Sequence, residues 1–185
     1  MNQDGLQKRA AIAVFLFPII VYICTLARHI TFVDSGELCA VAATLGIAHP
    51  PGYPLYTVLG YLFSIIPAST IPFRIGLLSA LSASFATLLL YQAASRLLIV
   101  FSERTSQLTQ PRPPAAAAMA LAPMAGALLF AFSLTVWGQA VVVEVYTLQT
   151  LLVILFLGTC ARAFTVPARA VCYWPWVAFA AGLAL

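Results

Sequence analysis

Val33-Asp34-Ser35-Gly36-Glu37, an apolar run from Leu38 to Ile47, and then His49-Pro50-Pro51-Gly52-Tyr53-Pro54-Leu55-Tyr56 form the stretch on which the reading of this chain turns. It places two carboxylates, a histidine, two tyrosines and three prolines between hydrophobic segments, in a chain that has only five Asp and Glu residues in all. Each proline lacks a backbone N–H and biases the residue before it towards extended conformations, so the turn at His49 to Pro54 is stiff and Gly52 is its one flexible joint. The apolar runs on either side, Leu38–Ile47 and Tyr56–Ile66, are too short to cross a bilayer and suit two short interfacial or re-entrant helices. A stiff polar turn between such helices, just past a first apolar span, suits a site.

Working outward, hydrophobic residues make up 63% of the chain and charged residues 8%, against roughly a quarter charged in an ordinary soluble domain. Too little polar surface exists to cover that apolar mass, which excludes a water-soluble domain and makes the chain an all-α, polytopic membrane protein. The formal charge of +4 could suggest a nucleic-acid partner. The Lys and Arg residues instead stand at the ends of apolar runs and form no basic stripe, so no nucleic acid is expected. Cys24, Cys39, Cys160 and Cys172 show no CxxC and no metal-ligand spacing, so neither a disulfide framework nor a zinc site is expected.

We read one membrane domain over residues 1–185, with spans at about 10–27, 75–95, 115–137 and 139–160 and an extracytoplasmic loop over 28–71. A cleavable signal peptide competes for the first run, but its apolar part is long for one. Residues 96–114 read as a solvent loop, and Trp137-Gly138 as a tight turn at an interface. A fifth apolar run at 171–185 stops at 15 residues, about five short of a crossing, so the chain reads as the N-terminal part of a longer protein. With the N-terminus in the cytoplasm, Lys8, Arg9, Arg96, Arg104, Arg112, Arg162 and Arg169 lie inside and only Arg28 and Arg74 outside, a clear positive-inside bias. The same threading puts Asp34, Glu37 and Glu144 together on the outer face.

Each polar residue has a plain reading beside a functional one. Asp34 and Glu37 have capping-box spacing, in which Asp34 accepts from the Glu37 N–H and the Glu37 side chain reaches back; a rigid cap at a membrane boundary can also be a general base. Glu144, about five residues into the fourth span, is either an interfacial acid reaching up to water or a functional intramembrane carboxylate, with Thr147 as the polar neighbour on its helical face. His49 is a hydrogen-bonded turn residue first, with a metal ligand or a proton shuttle as its functional readings. Tyr53 and Tyr56 are interface aromatics first, and Arg74 is an orientation anchor or a phosphate clamp.

The combination resembles the GT-C superfamily of membrane glycosyltransferases. More narrowly, three strings are similar to the protein O-mannosyltransferase-like group: Val33 to Glu37, Leu45 to Tyr56, and Trp137-Gly138-Gln139-Ala140-Val141-Val142-Val143-Glu144-Val145-Tyr146-Thr147-Leu148. Arg74 to Ala80 also fits, with Gly76 where Asn is expected. The resemblance covers about residues 10–160 and implies a GT-C-type helical bundle that moves a sugar, mannose in its most specific form, from a polyprenyl-phosphate donor to a Ser or Thr hydroxyl of an exported acceptor protein. It implies Asp34 as catalytic base with Glu37 beside it, and His49, Tyr53, Glu144 and Tyr146 as substrate-binding residues. Arg74 would meet the donor phosphate. The superfamily admits a divalent metal, though no cluster in this sequence demands one. Membrane lipid is the expected surrounding, in a bacterial inner membrane before the endoplasmic reticulum, with the active face extracytoplasmic. Two competing functions remain at this stage. One is a transporter or channel using Asp34 and Glu144 as coupling carboxylates, and the other is a non-catalytic membrane subunit.

Overall fold

A computed structural model describes residues 3–31, 34–109, 116–165, 176, 178 and 179. Among the described residues the regular structure is entirely helical: α1 (Gln3–Thr25), α2 (Ser35–Thr44), α3 (Pro54–Ser64), α4 (Ile71–Thr109), α5 (Ala116–Ala131), α6 (Leu134–Ala140) and α7 (Tyr146–Thr165). The expected fifth run at 171–185, with Cys172, and also Val33, Arg112 and Arg169 lie outside the described residues, apart from Trp176, Ala178 and Phe179.

α4 is the axis, and it packs against every other helix. Its sequence explains why. Ser79, Ala80, Ser82, Ala83, Ser84, Ala86 and Thr87 are all buried, and side chains this small let neighbouring backbones approach closely. The polar ones bring little cost, because Ser84 and Thr87 donate to Ala80 O and Ala83 O one turn back, at 2.9 and 2.8 Å. Three apolar clusters follow α4 along its length. One joins it to α2, α3 and α7 through Leu38, Tyr56, Ile75 and Leu148. The second joins it to α1 and the α5–α6 region through Ile19, Tyr22 and Ala131. The third joins it to α1 and α5 through Val14, Tyr91 and Ala127. Ile12, Leu16, Phe17 and Ile20 of α1 and Leu129 of α5 remain exposed, the surface an apolar solvent covers.

Among the described residues two helices are long and apolar enough to cross a membrane, Gly5–Thr25 and Ile71–Thr105, and α5 with α6 forms a third candidate that bends by 63°. The chain is therefore an integral membrane protein. Helix bounds differ from the sequence expectation in three places, each for a local reason. α4 runs on to Thr109, into the expected solvent loop, because nothing from Arg96 to Gln110 is Gly or Pro. The span expected over 115–137 breaks after Ala131, where Ser133 is extended and its hydroxyl accepts from Val136 N, capping a new helix. Trp137-Gly138 consequently lies inside α6, and the turn falls at 141–145 instead, so that α7 begins at Tyr146 and not near 139.

Side chains fasten these breaks. The buried Tyr22 hydroxyl donates to Ala131 O at 2.7 Å, satisfying a carbonyl that the end of α5 leaves open. Ala27 N donates to Val141 O at 2.9 Å, which ties the exit of α1 to the exit of α6. α2 and α3 pack on each other so closely that a Cβ added at Gly60 would stand 2.8 Å from Ala42 Cβ. Only glycine fits there.

Candidate functional site

The site begins at the N-terminus of α2. Asp34 precedes the helix, and its carbonyl accepts from Leu38 N at 2.9 Å, but its side chain makes no capping hydrogen bond. Glu37 does not reach back to Asp34 either. Its Oε1 accepts from the His49 backbone N–H at 2.7 Å, and its Oε2 lies 3.0 Å from His49 Nδ1. The capping box expected from the spacing is therefore replaced by a two-point clasp across the proline turn. One backbone donor at the head of α2 cannot compete with a backbone N–H and an imidazole presented together to both carboxylate oxygens. These contacts, the backbone one first, hold the Glu37 carboxyl below its ordinary range.

The turn holds His49 in place from its other side. Gly52, at φ +95°, returns its N–H to His49 O at 2.8 Å, and Tyr53 packs edge-on against the imidazole with ring centres 5.5 Å apart. Asp34, Glu37 and His49 each offer one ligand atom, and these atoms all lie within 4.8 Å of one another. Sequence spacing gave no hint of that trio, because the histidine is twelve residues beyond Glu37 and arrives only through the turn.

Glu144 stands behind the trio. It is 5% exposed, in the break between α6 and α7, so it is neither on a helix nor reaching to water as the interfacial reading required. Ser79 of α4 fixes it through the backbone: Ser79 Oγ donates to Glu144 O at 3.0 Å and lies 3.3 Å from Glu144 N, which donates to it. The carboxylate Oε2 has no hydrogen-bond partner. Burial, and then the charge of Asp34, holds this carboxyl above the ordinary range, with His49 pulling weakly the other way. The Tyr56 hydroxyl lies beside Ser79, whose Oγ is already engaged, and like Thr147 Oγ1 it is buried without a partner. Burial, then Cys39 and Glu144, raise the Tyr56 hydroxyl, and burial pushes the Cys39 thiol up to about 11.

Of the residues singled out from sequence, the structure thus gathers Asp34, Glu37, His49 and Tyr53, with Glu144 close enough to feel the charges of Asp34 and His49. Arg74 is used differently. Its guanidinium donates to the carbonyls of Ser64 and Ser69, at 3.0 Å each, and to that of Ala68, so it staples the turn between α3 and α4. Tyr146 is exposed at the head of α7 and borders a separate cavity of about 70 Å³ between α4, α5, α6 and α7, lined by Ala83, Thr135, Gln139, Thr147 and Thr150. Ser79 was missed because it is one small residue among many on α4. Tyr56 was visible in the sequence but read as an interface aromatic.

The family described as the protein O-mannosyl-transferase TMEM260 N-terminal domain matches residues 34–185. The chain belongs to that family. The TMEM260 N-terminal match begins at Asp34 and contains every residue of the site just described, while α1 lies before it. The mouse (Mus musculus) protein O-mannosyl-transferase TMEM260 is 32% identical over 155 residues, which are 83% of this chain and 19% of the relative. Its Dictyostelium discoideum counterpart is 41% identical over 91 residues, 45% of this chain and 11% of the relative. The chain therefore spans under a fifth of the length of these relatives. No solved structure matches it.

Proposed function

We propose that this TMEM260-type domain is the donor-end catalytic part of a GT-C glycosyltransferase that moves mannose from a polyprenyl phosphate to a Ser or Thr hydroxyl of an exported protein. The observation that carries the reading is the convergence of Asp34, Glu37, His49 and the buried Glu144 within the matched domain, beside a turn braced by the Glu37–His49 clasp. The names of both relatives support the sugar and the protein acceptor. In this reading α2 and α3 lie along the outer membrane interface, where the excess of inner-side Lys and Arg would leave them. The proposal places the active face on the extracytoplasmic side, opposite the excess of Lys and Arg.

The chemistry follows from the surroundings of the two free carboxyls. The acceptor oxygen forms a bond to the anomeric carbon as the bond to the polyprenyl phosphate breaks, and the phosphate leaves with that electron pair. Asp34 takes the acceptor proton: it is half-buried, and its side chain is not tied up in a cap. Glu144 ionises less readily than Asp34, held above the ordinary carboxyl range by its burial and then by the charge of Asp34, so the acceptor proton is assigned to Asp34. Glu37 is committed to His49 and positions the turn. Arg74 acts as the staple of the α3–α4 turn and not as the phosphate clamp.

Sugar transfer from radiolabelled polyprenyl-phosphate mannose, with the full-length protein in membranes, tests the proposal. Asp34→Asn keeps the shape and removes the base, so label transfer should fall by about 10²-fold or more while insertion is unchanged. Equal transfer by both forms would sink the assignment of Asp34, and no transfer by the parent would sink the enzyme class. The transporter reading gains nothing from family membership and is set aside.

A further inference from the structure

Far from the carboxylates, α1 and α4 enclose a polar cavity of about 310 Å³, with Gln7 and Lys8 on one wall and Tyr91, Ser95 and Arg96 on the other. Ser95 stands about 24 Å along α4 from Ser79, so this is not the site at the head of α2. The buried Tyr91 hydroxyl donates to Gln7 O at 3.3 Å, which fixes the two walls against each other. Earlier on α4, the buried hydroxyls of Ser84 and Thr87 donate to the carbonyl one turn back. Ser95 does not: it is 6% exposed, and its Oγ has no hydrogen-bond partner. Across the cavity, Gln7 Nε2 is also buried without a partner.

Unmatched polar groups of this kind are costly to bury, and these ask for an acceptor. Lysine and arginine only donate, and no carboxylate lines the cavity. At the volume water takes in the liquid the space would hold about ten molecules, far more than one bridging water needs. Lys8 and Arg96 are both exposed, at the end of the bundle that the excess of Lys and Arg assigns to the cytoplasmic leaflet, where anionic phospholipids attract such residues. Ile12 and Leu97, next in sequence to the lining residues Ala11 and Arg96, are exposed apolar surface that an acyl chain can cover and a free phosphate cannot. We propose that this cavity binds the phosphate of one anionic phospholipid of the cytoplasmic leaflet, with Lys8 and Arg96 meeting its charge and Gln7 and Ser95 donating to its oxygens. Gln7 and Lys8 precede the matched residues 34–185, so the lipid would bridge α1 to the matched domain. The site rests on the orientation given by the Lys and Arg residues and not on the glycosyl-transfer reading, and it is measured without any sugar.

The test is native mass spectrometry of the full-length protein released from phosphatidylcholine nanodiscs with and without phosphatidylserine. One phosphatidylserine per chain should be retained by the parent in preference to phosphatidylcholine. Each of Lys8→Gln and Arg96→Gln removes a charge-assisted contact, so affinity should weaken about 10-fold or more, and about 3-fold or more in Ser95→Ala. Arg104→Gln removes the same charge from an exposed position of α4 that lines no cavity, and it should bind within about 2-fold of the parent. A rise in the parent's unfolding midpoint with phosphatidylserine content gives a second readout that needs no variant. No preference for phosphatidylserine, or equal weakening by Arg104→Gln and the two cation variants, would overturn the proposal. Displacement of the lipid by millimolar inorganic phosphate would overturn it too, because the occupant would then be a soluble anion.

Discussion

Removing one oxygen from α4 should loosen the site from a distance. Ser79 is wholly buried, and its hydroxyl holds both the carbonyl and the N–H of Glu144. In Ser79→Ala these two backbone groups lose their partner in a break where no helix can supply another. Hydrogen bonds between membrane helices are worth about 0.6 kcal/mol on average and up to about 1.7, because the unfolded chain in lipid also finds partners. Two such bonds, the 3.0 Å one stronger than the 3.3 Å one, give an expected loss of roughly 1–3 kcal/mol. For a domain of this size that lowers a thermal midpoint by roughly 2–10 °C. The assay is thermal unfolding in nanodiscs, read alongside mannose transfer. Transfer should fall further than stability explains, since the 141–145 segment carries Glu144 into the site. A midpoint within about 1 °C of the parent, with transfer unchanged, would refute the view that Ser79 positions Glu144.

Further outcomes follow from other contacts. Gly60→Ala drives a Cβ to 2.8 Å from Ala42 Cβ, so it should cost about 1–3 kcal/mol, and Ala42→Gly in the same chain should restore most of the lost midpoint. The Glu37 carboxyl lies below its ordinary range in the fold, so the clasp contributes fully above the unfolded value of 4.5 and is lost as pH falls through the lower folded value. Unfolding midpoints from neutral to acid pH should therefore drop less steeply in Glu37→Gln than in the parent. Glu144 is shifted the opposite way, so ionising it destabilises the fold as pH rises from 4.5 through its raised value, and Glu144→Gln should lessen that decline. Arg74→Lys keeps the charge but not the fork that reaches three carbonyls. Limited proteolysis should then cut the 65–70 turn at least several-fold faster than in the parent, and equal rates would show that the staple is dispensable.

Much of the architecture was legible in the sequence because lipid leaves few choices. A chain with so little charge must pair its backbone internally, so apolar runs of spanning length become helices whatever their detailed sequence. The small residues of α4 marked a helix with close neighbours, and the proline turn at His49 to Pro54 marked a stiff connection. Those features are local: they depend on composition, periodicity and the conformational limits of Pro and Gly, all of which a linear string carries. The motif strings also pointed to the family to which the chain belongs.

What the string could not carry was the pairing of groups distant along the chain. Local spacing offered Glu37 the Asp34 backbone three residues back as its partner and gave no sign of His49, twelve residues on and farther along the chain. The turn decides for the farther, because it presents two donors to one carboxylate. Glu144 looked helical and interfacial from its neighbours, yet a hydroxyl sixty-five residues away holds its backbone in a break and buries it beside Asp34. Arg74 had the charge for a phosphate and was claimed by carbonyls within ten residues of it. Sequence determined that the chain is a membrane helical bundle with an acidic, proline-braced turn. Only the packing of α2, α3, α4 and the α6–α7 break decided which polar groups satisfy one another and which are left facing the site, because a buried polar group takes the partner that geometry brings to it.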